Sequence, residues 1–152
     1  MFLGLALMCL PWWDGGARIQ FPNAGYTIES LDVAAEESFQ SLMMFLPATD
    51  GFAPNVNVQV QVFEDSIEAY MEVSRNQVAQ MGLAVIREEV RGNRATFEYS
   101  GSLNSGKPMH FYAVAVKRRN KVYLATATAL QHQWPNSASH LIRCVDSLQL
   151  AH

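Results

Sequence analysis

The sequence predicts an α+β domain: an antiparallel sheet of five to seven strands with two main helices. Three observations carry this. Asn55–Phe63 reads Asn-Val-Asn-Val-Gln-Val-Gln-Val-Phe, so four valines alternate with four amides. A period of two sends the valines to one face of a strand and the amides to the other, and a one-residue slip would put all the valines in water. Two other stretches, one after Asp65 and one after Pro135, repeat apolar residues at helical spacing. Two turn compositions, Arg91-Gly92-Asn93-Arg94 and Arg118-Arg119-Asn120, each lie between apolar runs and predict hairpins. Runs of strands with separate helices are the order of an α+β fold.

Length and composition bound the rest. At 152 residues one domain is expected, with a core that needs no staples. A net charge of −3 gives no general affinity for nucleic acid. The charge is uneven: residues 1–63 carry six acids and one base, whereas residues 100–152 carry one acid and six bases. Lys117-Arg118-Arg119-Asn120-Lys121 holds four of those bases; it reads as a soluble hairpin tip, or as a contact for an anionic partner. Cys9 and Cys144 make neither a disulfide framework nor a metal pattern, and Cys144 is expected to be a buried, inert thiol.

In chain order, Met1–Leu10 is an apolar run of about ten residues, half of the ~20 a spanning helix needs. It has the character of an export signal or its remnant without a basic start; a structural apolar N-terminus and a misassigned start are the alternatives. Cys9 would be the acylated residue of a lipoprotein, although Met8 stands where a small residue is usual. Residues 1–16 are thus expected to be leader and linker, and residues 17–152 one domain. Arg18–Phe21 and Tyr26–Ser30 are short strands around Pro22-Asn23-Ala24-Gly25. Asp32–Ser38 is a loop or one helical turn. Ser41–Leu46 reads as a buried strand stopped by Pro47.

Asp65-Ser66-Ile67-Glu68 resembles a capping box, with Asp65 as the cap. Ile67, Tyr70, Met71, Ser74, Val78 and Met81 then form one stripe, and Gly82 ends the helix as a left-handed cap residue. Ala84–Val90 and Ala95–Tyr99 are strands, followed by a loop at Gly101–Pro108. Met109–Lys117 and Lys121–Leu130 show no clearly polar face, so they are expected at the centre of the sheet, covered on both sides. Ala125, Ala127 and Ala129 leave room for a helix to come close. Pro135 suits the first turn of that helix, whose stripe is Ala138, Leu141, Ile142, Val145 and Leu148. Leu148–Leu150 could add a last strand.

This order carries a resemblance. Pro54-Asn55-Val56-Asn57-Val58, Ser66-Ile67-Glu68-Ala69-Tyr70, the Val90–Arg94 hairpin, Lys121–Ala129, Trp134 and Val145-Asp146-Ser147-Leu148 follow one another as in the PsbP-like/DcrB-like superfamily. The resemblance spans roughly Ala17–Leu150. A Gly-Lys-Val-Tyr phrase of that superfamily appears as Arg119-Asn120-Lys121-Val122-Tyr123, and a Ser-Phe ending as Ser147-Leu148. It implies a sheet sandwiched by helices and a small, mostly non-enzymatic domain, exported in many relatives. No residue set is shared across the relatives' roles, so the resemblance assigns no site.

Catalytic patterns are missing from the sequence. It has no phosphate loop, dinucleotide glycine pattern or nucleophile elbow. His132 and His140 are eight apart across a strand-to-helix break, and the pairs Glu36-Glu37 and Glu88-Glu89 point apart. No cofactor or metal is expected. The sequence therefore reads as a non-catalytic accessory or binding domain with a protein partner, periplasmic or envelope-associated, with membrane association through the leader. A cytoplasmic chaperone or adaptor using its sheet face is the alternative. A small-molecule binder is the third reading, with a pocket between the sheet and the C-terminal helix near Tyr112, Tyr123 and Trp134.

Overall fold

The computed structural model describes residues 18–21, 24–29, 31 and 37–151. The leader with Cys9, the Trp12-Trp13 linker and residues 32–36 of the loop or turn expected at Asp32–Ser38 lie outside the described residues. The chain divides into two compact units, Met1–Ala35 and Glu36–His152. The first holds an antiparallel hairpin, β1 (Arg18–Phe21) and β2 (Tyr26–Glu29), paired from Arg18↔Glu29 to Phe21↔Tyr26. Gly25, at φ 73°, supplies the left-handed residue of its turn.

The second unit is a six-stranded antiparallel sheet with a helix on each face. Its strands are β3 (Phe39–Phe45), β4 (Asn55–Val62), β5 (Ala84–Arg91), β6 (Arg94–Ser102), β7 (Pro108–Arg118) and β8 (Lys121–Leu130), in the order β3-β4-β8-β7-β6-β5. The expected central pair, β7 and β8, is central. Its alternating residues serve two cores: Ala113, Ala115 and Val122 belong to one, and Val114, Ala125, Ala127 and Ala129 to the other. Helix α1 (Ile67–Gln80) packs over β5 and β6 in the first core, and α2 (Trp134–Asp146) over β8, β7 and β4 in the second. The three alanines of β8 are what lets α2 lie close. The valines of β4 face α2 as the alternation requires, with Val56 and Val60 buried.

Several boundaries differ from expectation, each for a local reason. Ser66, not Asp65, caps α1: its Oγ accepts from the Ala69 N–H at 3.2 Å, so the helix starts one residue later than the capping-box pattern suggests. The Ser41–Leu46 run lies in β3, an outer strand rather than a buried one, and its Met43 and Phe45 are 43% and 61% exposed. Met81, assigned to the buried stripe of α1, is also largely exposed. The Gly101–Pro108 loop is shorter than read. β6 runs on through Ser102, where Gly101, at φ 149°, lets Leu83 approach closely. Leu148–Leu150 is not a strand: the Arg94 guanidinium donates to the carbonyls of Leu148 (3.1 Å) and Asp146 (3.0 Å), which ties the end of α2 to β6 instead.

Candidate functional site: the cleft beneath α1

Helix α1 is anchored by Ile67, Met71 and Val78. On its side toward β7, β8 and β4 it leaves a half-open cleft of about 240 Å³. At ~30 Å³ per water this is room for about eight water molecules. The sheet supplies its floor through alternation, with Ala95 and Phe97 from β6, Ala113 and Ala115 from β7, and Leu124 and Thr126 from β8. Small alanines on β7 make the hollow; larger residues there would fill it.

A short polar chain lies at one end. The Tyr70 hydroxyl donates to Gln61 Oε1 at 2.7 Å, and Gln61 Nε2 donates to Gln59 Oε1 at 3.0 Å. Phe63 meets the Tyr70 ring edge-on at 5.2 Å. Burial pushes the Tyr70 phenol up to about 12, because the phenolate would lie among apolar groups. Burial raises Tyr99 as well; its ring stacks on Phe111 at 4.8 Å. The cleft walls carry no carboxylate, imidazole, thiol, amine or guanidinium. At neutral pH the tyrosines keep their protons, so the site can hold a neutral apolar group and offer it a hydrogen bond.

Tyr112, Tyr123 and Trp134 share the α2 face of the sheet, and none of them lines this cleft. The Tyr112 hydroxyl donates to Asp146 Oδ1 at 2.8 Å, and the phenol is pushed up to about 12 by burial and by the carboxylate it donates to. Trp134 stacks on His110 with centroids 4.1 Å apart. His110 is itself buried, with Nε2 2.8 Å from Glu98 Oε1. Tyr123 is half-buried opposite Val116 and Val60. Cys144 is half-buried on α2 rather than fully buried, and burial raises its thiol above the usual range, which favours the protonated form. Among the described residues, no cluster of three His, Cys, Asp or Glu side chains is placed to hold a metal, and no helix is long and apolar enough to cross a membrane.

Comparison with known proteins settles the fold. No family model matches, and no curated protein does. Among solved structures, the solution structure of cyanobacterial PsbP (CyanoP) from Synechocystis aligns with TM-score 0.55 at 15% identity, over 94% of this chain and 97% of that one. The chain has the PsbP-like fold. The crystal structure of PA94, a Pseudomonas aeruginosa protein of unknown function, aligns with TM-score 0.57 at 13% identity, over 90% of this chain and 97% of that one. The PsbP-like sandwich inferred from element order is thus present, and identity at this level carries the fold alone. The cleft residues come from β4, α1, β6, β7 and β8, and only their three-dimensional arrangement brings them together.

Proposed function

We propose that this PsbP-like chain is a non-catalytic, exported accessory domain that works by binding, and that it holds a small, neutral, mostly apolar ligand beneath α1. The observation that carries the reading is the character of the cleft walls: apolar side chains and neutral amides and hydroxyls, with Tyr70 and Gln61 at one end. Such walls supply a binding surface and no acid, base or activated nucleophile at neutral pH. At about 240 Å³ the cleft is just below the ~300–1,000 Å³ of sites for drug-sized ligands, which fits a one- or two-ring molecule. Export is the part supported by the apolar Met1–Leu10 leader. A protein partner is the second reading, favoured by Met43 and Phe45 exposed on β3.

The test is thermal unfolding of the full chain with and without indole, a neutral probe with one N–H. A ligand present at 100 times its Kd adds about 2.7 kcal/mol, or several degrees of Tm. The expected result is a rise in Tm that is lost in Ser74→Leu, which puts bulk into the cleft. An equal rise in that variant, or none from any neutral aromatic probe, overturns the cleft reading. Intact mass of the chain from its own host tests export separately: an uncleaved, unmodified N-terminus in the cytosol rules it out.

A further inference from the structure

We propose that β5 is a self-pairing edge, through which two copies of this chain join their sheets around a two-fold axis at Glu88. Strand β5 is an outer strand of the six-stranded sheet, and it exposes Val85 (41%) and Ile86 (53%). Its hairpin with β6 closes at Arg91↔Arg94 and pairs Glu89↔Thr96 and Arg87↔Glu98. Alternation in an antiparallel ladder then turns the backbone groups of Arg87, Glu89 and Arg91 toward β6, and those of Glu88 and Val90 toward the open edge. A two-fold axis at Glu88 therefore lets the outward-facing backbone groups of two copies bond to each other.

The same axis matches the side chains. It sets Arg87 of each copy opposite Glu89 of the other, over the regular stretch of β5 that begins after the bulge between Val85 and Arg87. These charges are of opposite sign and share one face, as their contacts within the strand show: Arg87 lies 3.2 Å from Glu89, and Arg91 lies 2.5 Å from Glu89. Glu88 would meet Glu88 of the second copy, which alone would be unfavourable. Each Glu88 is already tied to its own Arg75, with contacts of 2.6 and 3.0 Å, so the central pair arrives neutralised. An axis at Arg87 or Glu89 would set a like-charged pair at its centre and turn the wrong backbone groups outward. An axis at Val90 also satisfies the backbone but leaves Arg87 without a charged residue opposite it. Charged outer strands usually discourage pairing; here the order of signs makes the strand complementary to itself, as an isologous interface requires. The proposal is independent of what fills the cleft.

Sedimentation of the full chain from micromolar to millimolar concentration is the test, with circular dichroism as a check on folding. The expected result is a monomer–dimer equilibrium. Arg87→Glu should weaken it about thirtyfold, because two attractions become two repulsions, four changes of roughly two- to threefold each. Glu89→Arg should do the same. The double variant R87E/E89R should restore the dimer, which loss of fold would not predict. A monomer at millimolar concentration overturns the proposal, as does a dimer indifferent to Arg87→Glu or a double variant no tighter than the single ones.

Discussion

Replacing Tyr70 with Phe should destabilise the protein at neutral pH and stabilise it at high pH. At pH 7 the variant loses the 2.7 Å hydrogen bond to Gln61 and leaves that acceptor half-buried, a cost of about 1–1.5 kcal/mol. The wild-type phenol titrates near 10 when unfolded and is pushed up to about 12 in the fold. An acid with a raised folded pKa keeps its proton longer in the native state. Its stabilising contribution is therefore complete below pH 10 and is lost as pH rises toward 12. Linkage puts the loss at ~1.4 kcal/mol by pH 11 and ~2.3 kcal/mol by pH 12. Phe has no such loss, and Tyr112, also raised, is common to both proteins and cancels in the difference. The two stability curves should cross near pH 11. Urea unfolding of both proteins at pH 7, 9, 10 and 11 measures this directly. A stability difference that does not change between pH 7 and pH 11 would refute the buried, hydrogen-bonded placement of Tyr70.

Two further predictions concern the frame around the site. Gly101→Ala should cost ~2–5 kcal/mol: at φ 149° a Cβ would stand 2.9 Å from Leu83 Cδ2 and 3.2 Å from Leu83 Cα, so backbone strain and overlap add. Gly82→Ala, at φ 73° with open space around it, should cost only ~1–2 kcal/mol in the same denaturant titration, the cost of a left-handed backbone alone, and equal costs would contradict the close approach of Leu83. Gln133→Ala should cost ~2–4 kcal/mol, since the buried Gln133 amide accepts from the Leu130 N–H at 3.0 Å and donates to the Thr49 and Phe52 carbonyls at 2.8 and 3.1 Å. Gln133→Glu keeps an acceptor for the Leu130 N–H but turns the two donations into repulsion between oxygens, so it should be no more stable than Gln133→Ala; full stability in either variant would show the bonds to be dispensable.

Periodicity made much of this fold legible. The valine–amide alternation of β4, the two-sided apolar character of β7 and β8, and the small column of Ala125, Ala127 and Ala129 each have one structural meaning, and the structure bears them out. What the sequence hid depends on competition or on distance. Asp65 and Ser66 are both good caps, and only backbone geometry decides that Ser66 takes the role. A run such as Ser41–Leu46 has the composition of a buried strand, yet strand order puts it at the edge. Leu148–Leu150 has strand character, but Arg94, more than fifty residues earlier, takes the carbonyls there. The cleft beneath α1 is the extreme case. Ala113 and Ala115 read as ordinary sheet residues, and nothing in their spacing says that Tyr70 and Gln61 stand across from them.

The alanine column beneath α2 has a further consequence, for the newborn chain. All six strands of the sheet precede α2 in order of synthesis. Until residues 134–146 fold against it, the α2 face of the sheet, including Val114, Ala127 and Ala129, lacks its covering helix. A sheet that closed early would offer that bare face to any neighbour, and chains that fold from their N-terminal end meet this hazard in general. Short side chains lessen it, since each alanine presents little greasy surface before its helix arrives. The feature that lets α2 seat closely in the finished protein thus also makes the unfinished one less sticky.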